Sequence, residues 1–200
     1  LQGENTMAVT TQFGIPDNNG AHATLMPKLQ YRFRVSFSGL GADLTTDTTT
    51  QNVISVGRPS ITHEEVIIDS YSSKTYLAGK HTWEPITLVM RDDLNSNVIK
   101  AIGNQLKEQL NHETQGAKAA DDKHAGNVYK FTMKIETLDG TADAKPYDTW
   151  TLAGCYLSNV QYGDLNYGTS ELVQVTATIR YDNASNQIFA GNTEKDTLGE

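Results

Sequence analysis

The period of two that marks a half-buried strand recurs along most of this chain and gives way to a helical period at one place. Residues 29–37, LQYRFRVSF, set Leu29, Tyr31, Phe33, Val35 and Phe37 on one face and Gln30, Arg32, Arg34 and Ser36 on the other. The glycines and threonines of SGLGADLTTDTTTQN end that strand and predict a long loop from Gly39 to Asn52. VISVGRPSITHEEVIIDSY resumes strand character, with Pro59 at a bend or an edge. SSKTYLAGKHTWEPITLVMRDD then reads as strand, a turn at Gly79, and strand. Over residues 94–112 the period changes: Ile99, Ile102, Leu106 and Leu110 recur at spacings of three and four, opposite Lys100, Asn104, Lys107 and Glu108. Asn95 or Ser96 is the expected N-cap, with Asp92 and Asp93 where the helix dipole favours negative charge.

Three further strands are expected. Tyr129, Phe131, Met133 and Ile135 oppose Lys130, Thr132 and Lys134; WTLAGCYLSNVQY follows a polar turn; Val173, Val175, Ala177, Ile179 and Tyr181 oppose Gln174, Thr176, Thr178 and Arg180. Polar segments flank this set, an arm over 1–28 and a tail over 191–200. Leu1–Thr6, ahead of Met7, read either as a remnant or as the mature start. Many strands joined by turns, one helix and no internal linker predict a mainly β chain. The expected form is a single domain over 29–190, an antiparallel β-barrel or sandwich with one packed helix.

Charge narrows the possibilities. A formal net charge of −8 disfavours a nucleic-acid reader, which needs a basic face against phosphates. It suits a surface past which DNA moves without sticking. The chain has no basic-then-apolar leader pattern and no apolar run long enough to span a membrane, so no membrane anchor is expected. A single cysteine, Cys155 in an apolar run, excludes an internal disulfide and reads as a buried structural thiol.

The residues capable of chemistry do not assemble into an active site in the sequence. Tyr76 and Lys80 have the spacing of a dehydrogenase tyrosine–lysine pair, but that pair needs a helix, and these flanks read as strand. The five histidines, His22, His63, His81, His112 and His124, form neither HxH nor HExxH and read as surface or hydrogen-bonded side chains. Asp92–Asp93 and Asp121–Asp122 lack a calcium-loop pattern. No P-loop, dinucleotide loop or nucleophile elbow occurs. The expectation is no enzyme, and no catalytic, cofactor-binding or metal site.

Three stretches carry a resemblance: LMPKLQYRFRVSF, then GRPSITHEEVIIDSYSSKTYLAGKHTWEPITLVMRDD, then WTLAGCYLSNVQYGDLNYGTSELVQVTATIRYDNA. The strand WEPITLVMRD from Trp83 to Asp92 and the run from Leu152 to Tyr167 are its most specific parts. In order and content the chain resembles the tail tube proteins of contractile-tailed bacteriophages over residues 25–190. That resemblance implies a small β-barrel with a helix at its side, assembled with itself as hexameric rings stacked into a tube. It implies a tail sheath protein outside, a tape-measure protein and transiting DNA inside, and a baseplate and tail terminator at the ends. It also implies a place in the virion, with assembly in the host cytoplasm. Gln174, Thr176 and Thr178 are candidate bore residues, and the loop Gly39–Asn52 is the candidate contact between stacked rings. Arg32, Arg34, Lys130 and Lys134 are expected to face neighbours or intersubunit carboxylates.

The nearest alternatives keep this architecture: the tube of a phage-derived or type VI-like contractile injection system, or a baseplate-proximal tube initiator. A monomeric β-barrel ligand-binding module is the alternative of another class, with a hydrolase on a β scaffold third.

Overall fold

The computed structural model describes residues 28–41, 50–110, 112, 115, 129–141, 143–190 and 193–196. The chain divides at Arg32/Phe33 into two units. In the first, the Arg32 N–H donates to the Leu29 carbonyl at 3.2 Å and the Arg32 guanidinium lies 5.6 Å from the Tyr31 ring centre. Leu29 and Tyr31 are exposed in a turn, so the strand expected from residue 29 begins only at Phe33.

In the second unit the elements run β1 (Phe33–Ser38), β2 (Val53–Val56), β3 (Ile61–Ser70), β4 (Ser73–Trp83), β5 (Ile86–Arg91), α1 (Asn97–Gln109), β6 (Phe131–Leu138), β7 (Pro146–Gln161), β8 (Gln174–Arg180), β9 (Asn183–Ala190) and β10 (Thr193–Asp196). Pairing is antiparallel throughout, in the order β1-β6-β7-β8-β5-β2, with β9 on β7 and β10 on β9, and β3 with β4 as a separate ribbon. Among the described residues the path from β1 to β2 does not close. The molecule is therefore a sandwich rather than the implied barrel. Pro59 falls in the break between β2 and β3, as its missing N–H requires.

One long strand joins the two sheets. The first part of β7 pairs with β6 and β9, and from Tyr156 onward it pairs with β8. The switch occurs at Gly154, where the β6 register slips between Phe131↔Cys155 and Met133↔Leu152. Gly154 has φ +70, a left-handed conformation that favours glycine. Inward positions of both sheets share one core: Val35 and Phe37, Leu88 and Met90, Phe131 and Met133, Leu152 and Leu157, and Val175 and Ile179. Cys155 lies among them, fully buried, and burial pushes its thiol up to about 12, which suits an inert thiol.

Helix α1 is shorter than expected and turned on its axis. Its buried face is Val98, Ala101, Ile102 and Gln105, whereas Ile99 is exposed. Ser96 stands at the N-cap position with φ 54 and makes no side-chain cap. Asp93 caps instead: Oδ1 accepts the Asn97 N–H at 2.8 Å and Oδ2 accepts the Asn97 side-chain amide at 2.6 Å. That backbone N–H bond, ahead of the other contributions, holds the Asp93 carboxyl below the usual carboxylate range.

Two glutamines bolt the helix to the sheets, a role no apolar period reveals. Gln105, buried, accepts from the Gly41 N–H at 3.2 Å and donates to the Tyr129 carbonyl. Gln109 donates to the Leu157 carbonyl at 2.9 Å and accepts its N–H at 3.0 Å, occupying a place a neighbouring strand would take. Gln105→Leu preserves bulk but leaves the buried Gly41 N–H without this acceptor and removes a donor from the part-buried Tyr129 carbonyl. It is expected to cost about 2 kcal/mol, read by denaturant unfolding, with the slope unchanged.

Candidate functional site

The feature that the chain's own core does not account for is the β3–β4 ribbon. Residues 61–83 form a hairpin whose side chains are exposed along β3 and along β4 as far as its last residue, Gly79 and Trp83 excepted. Its corner is Tyr71–Ser72, between the paired Ser70 and Ser73, with Tyr71 at φ 46. Gly79 is thus not the turn. It lies inside β4, where Gly79 and Lys80 together oppose Glu64 between the pairs His63↔His81 and Glu65↔Ala78. This bulge needs a small residue, since a Cβ on Gly79 would stand 2.9 Å from the Glu64 carbonyl.

Both faces of the ribbon carry apolar side chains. Directly opposed residues of an antiparallel pair point the same way. Val66↔Leu77 and Ile68↔Thr75 therefore occupy one face, and Ile67↔Tyr76 the other. Val66, Ile67, Ile68 and Leu77 are each about half exposed, and Tyr76 more so. An isolated two-stranded ribbon is marginal in water, and contiguous exposed apolar surface marks a contact site.

The root of the ribbon is firm. Trp83 is buried against Tyr181, with ring centres 5.8 Å apart, and the Glu84 N–H donates to the Ser60 carbonyl at 2.9 Å. Arg58, in the link to β3, reaches the buried Asp148 carboxylate of β7 at 3.5 Å. The connection from Tyr162 to Val173 adds a second exposed apolar set, Leu165, Tyr167 and Leu172. It overlaps the end of the Leu152–Tyr167 run singled out in the sequence.

The sequence candidates separate in space. Tyr76 lies opposite Ile67 and Lys80 beyond the next bend of the same strand, so their four-residue spacing spans roughly 13 Å of extended chain rather than one helical turn. Arg34 pairs with its cross-strand neighbour Glu136 at 2.6 Å, and Lys130 pairs with Asp182, which raises the Lys130 pKa mainly through that hydrogen bond. Two of the four cations expected to face neighbours or intersubunit carboxylates, Arg34 and Lys130, thus find partners within the chain, Arg34 because the β1–β6 register sets it opposite Glu136. Gln174, Thr176 and Thr178 do share the outer face of β8, beside Arg91, Val89 and Thr87 of β5. Residues 42–49 of the expected ring-contact loop, and His22, Asp121, Asp122 and His124, lie outside the described residues. Among the described residues no group of three or more His, Cys, Asp or Glu could hold a metal ion, and no helix is long and apolar enough to cross a membrane.

The sequence matches no protein-family model, and no curated protein matches it. The fold has clear counterparts among solved structures. A chain of the anti-feeding prophage tube-terminating cap is similar with a TM-score of 0.59 at 15% identity, over 91% of this chain and 99% of that one. A chain of the sheath-tube complex of an extracellular contractile injection system, PVC, in its extended state gives 0.58 at 17% identity, over 90% and 99%. A chain of the anti-feeding prophage baseplate, described as 6-fold symmetrised, gives 0.55 at 18% identity, over 80% and 95%. The chain therefore has the fold found in the tube-bearing assemblies of contractile injection systems.

Proposed function

We propose that this protein is a non-enzymatic structural subunit that assembles with itself into hexameric rings, and that these rings stack into the inner tube of a contractile tail. The observation that carries the reading is the β3–β4 ribbon, rigidly rooted and apolar on both faces. A single sandwich gains nothing from such a ribbon, whereas a neighbouring copy can cover both its faces. The fold shared with contractile tube and cap assemblies supports the same reading. In the assembled tube a sheath protein surrounds the outside and terminator and baseplate proteins close the ends. The outer face of β8 with Gln174, Thr176 and Thr178 lines the bore, through which a tape-measure protein and DNA pass without specific binding. The net charge of −8 suits that passage.

The similarity to a chain of an extracellular contractile injection system favours one second reading, the tube of such an injection system instead of that of a virion tail. Negative-stain microscopy of the purified chain tests the shared core of both readings. Rings or tubes with six-fold symmetry are expected; a persistent monomer at high concentration under every salt condition overturns them. Nuclease-protected DNA in tubes isolated from the native source supports the virion reading, and its absence from intact filled tubes overturns it.

A further inference from the structure

The ribbon holds a pair of side chains that neither the core nor the assembly reading uses. His63 and His81 are direct cross-strand partners, at the end of the ribbon nearest its root. Their rings point to the same side, with centres 6.0 Å apart and planes 49° from parallel. Both side chains are exposed, and the next pair toward the core is Thr62↔Thr82, on the opposite face. On the far side, the Gly79–Lys80 bulge ends the regular register immediately beyond them. Two neutral imidazoles presented this way from adjacent strands offer two nitrogen donors to one ion, at about 2.0–2.1 Å each after a small ring rotation. The strands fix the separation of the two Cβ atoms, so little backbone ordering opposes binding.

We propose that His63 and His81 form a two-histidine site for a borderline divalent transition-metal ion of the zinc, nickel or copper class, clamping β3 to β4. Imidazole donors select such ions over magnesium or calcium, which prefer oxygen. Water completes the coordination in the free subunit. The site requires only the hairpin register, so it stands whether or not the chain forms a tube. An ion held across the two strands adds a cross-link to a ribbon otherwise joined by backbone hydrogen bonds and weak side-chain contacts, and it stiffens the element that meets other copies.

The structure also supplies a reporter. The His81 ring stands edge-on to the Trp83 indole at 6.2 Å and 83°, so a paramagnetic ion on the pair lies close to that indole. Nickel titrated into the full-length chain is expected to quench Trp83 emission saturably at one equivalent, with zinc competing and a chelator restoring the signal. Trp83→Phe should remove the response, which separates it from Trp150. Either His63→Ala or His81→Ala should weaken nickel binding at least tenfold, while His112→Ala leaves it unchanged. Hydrogen exchange on the unmutated chain supplies a test independent of variant folding: zinc should slow amide exchange within residues 61–83 and leave β6 and β7 unaffected. Quenching that does not saturate, single-histidine variants that bind within twofold of the parent, or unaltered exchange in the ribbon would each overturn the site.

Discussion

Val66→Asp combined with Ile67→Asp is expected to abolish ring and tube formation and leave a soluble, folded sandwich. The two residues sit on opposite faces of the ribbon, each about half exposed, and neither belongs to the core. Fully burying a side chain of this kind contributes about 1.5–3 kcal/mol, so covering the half that each still exposes contributes about 0.8–1.5 kcal/mol. Losing two such contributions per subunit removes about 1.5–3 kcal/mol, and desolvating a carboxylate in each contact brings the total to at least about 3 kcal/mol. That corresponds to a rise of more than 100-fold in the concentration needed for assembly. Each single variant should have a smaller effect, and comparing them shows which face meets the more demanding contact. Sedimentation velocity and microscopy read assembly, and thermal unfolding of the unassembled chain reads the fold. Tubes forming from the double variant at the parent's concentration would remove the ribbon from any role in assembly.

Gly154→Val should have the largest effect on the fold itself. A non-glycine residue in the left-handed region costs roughly 1–2 kcal/mol, and a β-branched one is the least tolerated there. A Cβ at this position also runs into the Asp182 carboxylate. Asp182 is held on both sides: its N–H donates to the Ala153 carbonyl at 3.0 Å, and its carboxylate pairs with Lys130. The intruding side chain must displace that carboxylate or bend β7 at the point where it passes from β9 to β8. We expect a loss of about 2–4 kcal/mol, with Gly154→Ala at the lower end, measured by urea unfolding. Combining Gly154→Ala with Asp182→Ala should recover part of the loss, because the obstructing carboxylate is gone while the left-handed strain remains. An additive double variant would place the whole cost in the backbone.

Much of the framework was legible in local pattern. Val35 with Phe37, Phe131 with Met133 and Ile135, and Val175 with Ala177 and Ile179 are buried as their alternation predicts. An alternating strand with one face on a core leaves little freedom of register, since a slip by one residue exposes every apolar side chain. The helix was legible in place and in part in orientation, since Ile102 is buried and Leu106 packs against the core as its period predicts. Its apolar period points to Ile99, but the core receives Ala101 and Gln105. A small residue and an amide can be buried when backbone partners wait for them, and hydrophobicity carries no record of those partners.

The β3–β4 ribbon shows the other limit. Its residues read as strand in the sequence, yet Gly79 looked like the turn because glycine serves turns and bulges equally well. Only the pairing of Ser70 with Ser73 puts the corner at Tyr71–Ser72. The strand β9 escaped prediction for a related reason: ASNQIFA has a weak period, and its place follows from its partner Asp148–Ala153 on β7.

By itself, then, the sequence determined the class of the fold, the positions of its main strands and helix, the inertness of Cys155, and the absence of any local catalytic motif. Those properties follow from period, charge and spacing, which act over a few residues. Tertiary structure decided that the sheets remain open, that β7 turns its corner at Gly154, that two glutamines bolt the helix, and that Arg34 and Lys130 find carboxylates within the chain. It also decided that His63 faces His81 and that a ribbon with two apolar faces stands away from the core. Each of these depends on which distant segment a residue lies against, and free energies of packing and register, not local propensity, select that neighbour.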